Sequence, residues 1–263
     1  MIRFNAFLLS PFLYTGAHSV IRNQVNSPIQ PLVRDGVFKR LFWDVHNPKK
    51  IIHFLHSVRP LSDSARKIEK IEFQNPYFPA YSRGEKDIYV DVICRSTDVE
   101  GKNPEIHIIE MQQVENEGYM KRWDFYASRC YSMELNRCKK YDQLIKIHVV
   151  AVMNHPCKYP NDLYQLTGKS SGVRVPETRE LTILSLSDLN STLVHEDTDS
   201  KKWSHLIKFS GRPELQEEVL SKDPVFFQAI SDLRSMGKVD PLPARESKGK
   251  PWKLLYRDIK SAG

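Results

Sequence analysis

The sequence lacks the patterns that mark disulfide scaffolds, zinc sites and membrane proteins. Its four cysteines, Cys94, Cys130, Cys138 and Cys157, form no CxxC pair and have no histidine at zinc-site spacing. They are therefore expected to be free thiols in a reducing compartment. No stretch reaches the roughly 18 unbroken apolar residues of a membrane helix. We expect no membrane as a partner.

Several signatures of other enzyme classes are also missing. The chain has no P-loop, no GxGxxG turn and no motif of a serine or cysteine nucleophile. It has no internal repeat and no low-complexity block. Its 263 residues are 40% hydrophobic and 10% aromatic, which is enough for one large packed domain.

The net charge of +7 is confined to the two ends of the chain. Residues 1–34 hold three arginines and no acid, and residues 241–263 hold six basic and two acidic residues. The middle carries no net charge, so charge alone gives little support for nucleic-acid binding. We divide the chain into a basic leader at 1–34, a domain at 35–240 and a basic tail at 241–263.

The leader allows two interpretations. Its lack of acids and its apolar patch from Phe4 to Tyr14 partly match an organellar transit segment. The alternative is a disordered or loosely docked segment. The protein is expected to be intracellular, in an organelle if the leader is a transit segment and in the cytoplasm or nucleus otherwise.

The domain mixes helical and strand-like periodicity. Asn47-Pro48 predicts an N-cap followed by proline at the first position of a helix that ends near Arg59. The other predicted helices span 35–43, 118–137, 200–210 and 213–236, and the predicted strands span 68–73, 87–94, 105–113, 144–153 and 181–186. Loops are predicted over 95–104, as a hairpin connection, and over 154–178, and an extended segment over 237–263.

The predicted hairpin brings two acids together. Side chains alternate between the faces of a strand, so Glu110 and Gln112 share one face, and Asp91 can lie beside Glu110. Two neighbouring carboxylates in a half-buried sheet repel each other unless a cation lies between them. Hard oxygen ligands favour Mg²⁺. The alternative is two acids on the solvent face of an amphipathic hairpin.

Several short motifs follow one another along the chain. They are Asp35-Gly-Val-Phe-Lys39, Tyr89-Val-Asp91-Val, Ile108-Ile-Glu110-Met-Gln112, Arg122-Trp-Asp-Phe-Tyr126 and the strand that follows Tyr141. In order and spacing they resemble the motifs of the PD-(D/E)XK nuclease family transposases, the Rpn-like recombination-promoting nucleases. The resemblance is clear over residues 33–155 and fainter to about residue 235. It implies an α/β fold with a restriction-endonuclease-like core, in which helices flank a mixed central sheet, and a helical C-terminal part.

The resemblance also implies roles for the matching residues. Asp91 and Glu110 would hold Mg²⁺, and Gln112 would replace the superfamily's catalytic lysine and position the attacking water. Asp35 would be an accessory acid and Lys39 a phosphate contact, unless the two form only a helical salt pair.

Gln112 carries no charge, so positive charge for the transition state would have to come from other residues. Lys86, Lys121 and Arg122 are the candidates, and we favour Arg122. Tyr126, a further candidate catalytic residue, and Arg129 share its face of the predicted helix. The alternative is that this face is merely solvated.

The implied function is a Mg²⁺-dependent endodeoxyribonuclease that hydrolyses phosphodiester bonds in double-stranded DNA and acts in DNA recombination. One alternative is an inactive relative that binds DNA or a protein, because the middle of the chain is neutral and the motif lysine is missing. Another is an organellar or structural protein whose hairpin acids are surface groups. A homodimer is left open.

Four histidines carry less weight as candidate functional residues. His53 and His56 lie at i and i+3 on the second predicted helix without a nearby acid pair, so they are predicted as partly exposed residues rather than metal ligands. His107 is expected on the face opposite Glu110. His148 lies in an apolar strand and is predicted as a hydrogen-bonded core residue.

Overall fold

The structure is a computed structural model that describes residues 28–59, 67–80, 83–84, 86–135, 140–173 and 179–236. The predictions for most of the leader, for the extended segment after residue 236 and for the basic tail fall outside these residues. Among the described residues, Cys94, Cys130 and Cys157 are not in disulfides. Cys138 lies outside the described part.

The described residues form six α-helices and eight β-strands. The helices are α1 (Asp35–Phe42), α2 (Lys49–Ser57), α3 (Tyr119–Leu135), α4 (Asp199–Phe209), α5 (Glu217–Leu220) and α6 (Pro224–Met236). The strands are β1 (Lys70–Phe73), β2 (Tyr77–Phe78), β3 (Ile88–Tyr89), β4 (Val92–Thr97), β5 (Glu105–Gln112), β6 (Lys146–Met153), β7 (Asp162–Gln165) and β8 (Arg179–Ser185). A 3₁₀ turn, Tyr141–Gln143, precedes β6.

Six strands form a mixed sheet in the order β1-β4-β5-β6-β8-β7. The central strands β5, β6 and β8 run parallel, and β4, β1 and β7 pair antiparallel around them. α3 connects β5 to β6, which is the kind of crossover that parallel neighbours require. β2 and β3 pair separately. The restriction-endonuclease-like α/β fold implied by the resemblance is confirmed, including its helical C-terminal part.

Helices cover both faces of the sheet and create two apolar cores. One core surrounds Phe54 and Trp203, from α2 and α4, with further side chains from α1 and α6. The other lies under α3 and includes Trp123 packed with Ile106 and Ile108. Burying each such side chain stabilises the fold by roughly 1.5–3 kcal/mol. β6 is buried along its whole length, which explains why its sequence is mostly apolar.

The strand predicted over 87–94 is interrupted at Val90 and Asp91. β3 ends before this break and pairs with β2, whereas β4 begins after it and pairs with β1 and β5. β4 also continues to Thr97, so the hairpin connection is shorter than predicted. Asp98 shapes that connection, because its Oδ1 accepts the N–H groups of Glu100 (3.0 Å) and Lys102 (2.7 Å). Asp91 therefore lies in a bend and not within a strand.

Two helix predictions were wrong in detail. Pro48, and not Asn47, is the N-cap of α2. Asn47 instead donates its N–H to Asp44 Oδ1 (3.0 Å). The single helix predicted over 213–236 is divided into α5 and α6, because Pro224 has no N–H to continue a preceding helix.

Residues 154–178 were predicted as a loop but include the edge strand β7. Its sequence, Asp-Leu-Tyr-Gln, is short and half polar, so it gives little strand signal. β7 pairs antiparallel with β8 at the end of the sheet, where Leu163 lies opposite Thr182. The sheet is one strand wider than the sequence predicted on this side.

Residues 28–34 pack against the domain, although they precede its predicted start. Leu32 is fully buried, and its N–H donates to Ser210 Oγ (2.6 Å). The N–H of Gln30 donates to the carbonyl of Leu233 (3.3 Å). The packed part of the chain therefore begins before Asp35. No helix among the described residues has the length and apolar composition needed to cross a membrane.

Candidate functional site

Asp91 and Glu110 lie side by side where the bend before β4 meets the second half of β5. Val92 pairs with Ile109, which places Asp91 opposite Glu110. The N–H of Asp91 donates to Glu110 Oε1 (3.0 Å), and the N–H of Met111 donates to Asp91 Oδ2 (2.8 Å). The structure thus brings together the two acids that the hairpin pattern predicted as neighbours.

The surroundings of both carboxyl groups disfavour negative charge. Glu110 is 7% exposed, and the side chain of Asp91 is 13% exposed. Burial, and then the neighbouring Asp91, raise the pKa of Glu110 well above its usual value. Burial also raises the pKa of Asp91, against the opposing effect of Lys39. A cation between two such carboxylates removes their repulsion.

Lys39 brings positive charge to these acids from α1. Its Nζ lies 2.9 Å from Asp35 Oδ1 and 3.1 Å from Asp91 Oδ1. Partial burial disfavours the charged ammonium, but Asp91 and Asp35 outweigh this effect and raise the pKa of Lys39. Lys39 and Asp35 do form the i, i+4 pair considered from the sequence. Lys39 of this pair also contacts Asp91, which a salt pair confined to the helix surface would not do.

Gln112 and Arg122 form another side of the site. Gln112 is 8% exposed; its Oε1 accepts from Arg122 Nη2, and its Nε2 donates to the carbonyl of Val114 (2.5 Å). The amide is therefore bound both to α3 and to the loop after β5. The Nε of Arg122 is buried and has no hydrogen-bond partner. This guanidinium retains a donor for a further acceptor.

Tyr126 lies one helical turn beyond Arg122 on α3. The Cζ of Arg122 is 6.0 Å from the centroid of the Tyr126 ring. Burial, followed by the charge of Glu110, raises the pKa of Tyr126, so its hydroxyl stays protonated beside the acids. Arg129 contacts a different region, because its Nη2 donates to the carbonyl of Pro79 (2.8 Å).

Two of the lysines considered from the sequence do not join this site. Lys86 and Lys121 are both exposed. Neither forms an ion pair with Asp91 or Glu110 in the described structure. Lys39 is the lysine that reaches Asp91.

The oxygen atoms of this site fit a hard divalent cation held by two carboxylates. Glu110 accepts the N–H of Asp91 through Oε1, and Oδ1 of Asp91 already contacts a cationic group, the Lys39 ammonium. Mg²⁺ prefers such ligands and keeps several water molecules, so two carboxylates are enough. Asp35 does not complete a three-ligand group, because Asp35, Asp91 and Glu110 do not place three ligand atoms within 4.8 Å of one another.

A second acidic cluster lies between α2, α4 and the start of α6. Contrary to prediction, His53 does have an acid pair beside it, because Asp199 Oδ2 lies 3.4 Å and Asp223 Oδ2 3.9 Å from its Nε2. Their ligand atoms lie within 4.8 Å of one another. The Nε1 of Trp203 donates to His53 Nδ1 (2.9 Å), so the ring hydrogen of neutral His53 is on Nε2. That arrangement lets Nε2 donate to the acids and leaves it no lone pair for a metal.

Histidines 107 and 148 are buried and hydrogen-bonded, as predicted for His148. His107 Nδ1 lies 3.3 Å from His148 Nδ1. Ser96 Oγ lies 2.7 Å from His107 Nε2, and Thr182 Oγ1 lies 2.8 Å from His148 Nε2. Burial, the largest cause for both rings, lowers their pKa values well below the usual value. The chain of four side chains crosses β4, β5, β6 and β8.

A buried ionic network at the start of β5 and β6 was not predicted. Lys146 Nζ lies 2.7 Å from Glu180 Oε2 and 3.5 Å from Glu105 Oε1. Glu105 also pairs with Arg59, and all four side chains are less than a tenth exposed. The partners come from four distant segments, so no local sequence signal could reveal them.

Of the comparisons with known proteins, the one with family models finds a match. The model for the PD-(D/E)XK nuclease family transposases matches residues 32–244. This region contains Asp35, Lys39, Asp91, Glu110 and Arg122 together with the whole six-stranded sheet. No curated protein and no solved structure matches the chain.

Proposed function

Because the chain belongs to the PD-(D/E)XK nuclease family transposases, we propose that it is a Mg²⁺-dependent endonuclease that hydrolyses phosphodiester bonds in double-stranded DNA. PD-(D/E)XK nucleases generally use divalent metal ions. The observation that carries the proposal is the pairing of Asp91 with Glu110 in a buried site that also contains two cationic side chains, Lys39 and Arg122.

Asp91 and Glu110 are the proposed metal ligands. Each uses one carboxylate oxygen to accept a backbone N–H, which fixes its position. The cation would bind the other oxygen, which on Asp91 also contacts Lys39. When bound, Mg²⁺ supplies an activated water as the nucleophile and neutralises charge on the phosphate.

Arg122 is the proposed phosphate contact. Gln112 holds one end of the guanidinium, and the buried Nε–H still needs an acceptor, which a phosphate oxygen can provide. Gln112 keeps one amide hydrogen and one lone pair, with which it can orient the attacking water. The protonated hydroxyl of Tyr126 can donate to the same phosphate.

Asp35 is proposed as an accessory acid that acts through Lys39. Its side chain is 67% exposed and pairs with the Lys39 ammonium, which in turn contacts Asp91. The proposed DNA partner rests on the family and on this site. The basic tail at 241–263 would add phosphate affinity that weakens as salt rises.

A plasmid-nicking assay tests the function. Asp91→Asn and Glu110→Gln preserve side-chain shape but remove the carboxylates, so each should lower Mg²⁺-dependent nicking by about 100-fold or more. Glu100→Gln, an exposed acid on the hairpin connection, is the matched control and should nick like the wild type. Undiminished nicking by folded Asp91→Asn protein would remove this site from consideration.

An inactive relative that binds DNA or a protein is the second candidate function. Two observations favour it: Lys39 already neutralises Asp91, and the motif lysine is replaced by Gln112. Titration calorimetry with Mg²⁺ separates the candidates, because an inactive relative has no need to bind the ion. Absence of Mg²⁺ binding together with retained DNA binding would favour the inactive relative.

A further inference from the structure

The site contains a cationic group of its own at the position where a metal ligand is proposed. The Lys39 ammonium lies 3.1 Å from Asp91 Oδ1, whereas the other oxygen, Oδ2, accepts the N–H of Met111. A divalent cation bound to Asp91 would use the same oxygen. The ammonium and the metal therefore need the same place.

Lys39 has a second partner that can retain it. Its Nζ lies within 3.0 Å of both oxygens of Asp35, one turn earlier on α1. The Asp35 side chain is 67% exposed, whereas that of Asp91 is 13% exposed. Lys39 can leave the buried Asp91 and stay paired with the exposed Asp35. Its ammonium therefore keeps a carboxylate partner when a metal displaces it from Asp91.

The packing of α1 keeps this lysine close to the site. Phe38, Leu41 and Phe42 are buried in the core and fix the helix against the domain. Lys39 is therefore presented to Asp91 from a rigid element and not from a mobile loop. Across the site, the neutral amide of Gln112 is occupied by Arg122 and Val114 and cannot take over this charge.

We propose that Lys39 competes with the divalent cation for Oδ1 of Asp91, so that a residue on the first helix sets the metal affinity of the site. This inference rests on the proposed metal site of Asp91 and Glu110. Asp35 promotes metal binding by giving the displaced ammonium an alternative partner. Substitution of Lys39 should increase the affinity of the site for Mg²⁺. Substitution of Asp35 should keep Lys39 on Asp91 and so decrease that affinity.

Titration calorimetry with Mg²⁺ on the full-length protein tests the competition. Lys39→Met should bind Mg²⁺ about tenfold more tightly, because a neighbouring positive charge at a partly solvated site is lost. Asp35→Asn should bind it about threefold more weakly. In the double variant the effect of Asp35→Asn should largely disappear, because the displaced ammonium is no longer present.

The controls separate competition from general effects of charge and folding. Lys49→Met removes an exposed lysine that has no ion pair in the described structure, and it should leave the Mg²⁺ affinity unchanged. Lys39→Gln should reproduce Lys39→Met with a polar side chain. Circular dichroism and the melting temperature show whether each variant is folded.

The outcomes distinguish this inference from the proposed function. Unchanged or weaker Mg²⁺ binding by both folded Lys39 variants, with binding lost in Asp91→Asn, overturns the competition alone. Absence of Mg²⁺ binding in the wild type and in every variant overturns both the competition and the metal site. If Lys39→Met binds Mg²⁺ and the wild type does not, the competition is supported, because Lys39 then excludes the metal completely.

Discussion

Acidification between pH 7 and pH 5.5 should destabilise the protein through the buried pair His107 and His148. Both rings are fully or almost fully buried, and burial lowers their pKa values well below 6.5. The charges of Arg59 and Lys146 lower them further. The folded protein therefore keeps both rings neutral, whereas the unfolded chain takes up a proton on each as the pH falls below about 6.5.

The sign of the effect follows from this difference in bound protons. Each group with a lowered folded pKa contributes stability that is present above the unfolded pKa and is lost as the pH falls below it. For the two histidines together, the free energy of unfolding should decrease by about 2.5 kcal/mol between pH 7 and pH 5.5. His56 and His205, whose pKa values are also lowered mainly by burial, act in the same direction.

Urea unfolding at several pH values measures the effect. His148→Gln should lose about half of the contribution of the pair, whereas His46→Gln, at an exposed position, should retain the wild-type pH dependence. Absolute stability need not match between variants, because the comparison uses only the change with pH. A His148→Gln protein with the same pH dependence as the wild type would refute the reasoning, as would a His107 ring that titrates near pH 6.5 in NMR spectra.

Two further predictions concern the buried ionic network and the phosphate contact. Lys146→Met leaves Glu105 and Glu180 buried with one cation fewer and should lower the free energy of unfolding by about 3–5 kcal/mol. Lys102→Met, the control, breaks an exposed pair with Glu100 and should lower the free energy of unfolding by about 1 kcal/mol or less. Equal losses of stability in the Lys146 and Lys102 variants would contradict a stabilising role of the buried network. Arg122→Lys should reduce nicking about tenfold or more and leave the Mg²⁺ affinity unchanged, because lysine has no planar group that binds Gln112 and a phosphate together. If this variant also loses Mg²⁺ affinity, Arg122 supports the metal site instead.

The pairing of Asp91 with Glu110 could be predicted from sequence because it depends on local rules. Strand alternation and a short connection between two strands place the acids together. The bend at Asp91 was missed, because the residues before it pair with β2 and not with the main sheet. The alternation of polar and apolar residues cannot reveal that one stretch of chain pairs first with β2 and then with the main sheet.

Contacts between distant segments could not be predicted in the same way. Lys39 was recognised as a partner of Asp35, but its contact with Asp91 requires α1 to dock beside the sheet. His53 meets acids that lie more than 140 residues later in the chain. Such contacts are set by the packing of whole elements, for which spacing along one helix or strand gives no information.

The docking of residues 28–34 has a consequence for the distribution of charge. Gln30 bonds to Leu233, so the chain enters the domain beside the place where α6 leads out of it. The leader and the basic tail, which carry the entire excess of positive charge, are therefore tethered to neighbouring points. Both basic segments thus continue from one side of a domain whose own sequence carries no net charge.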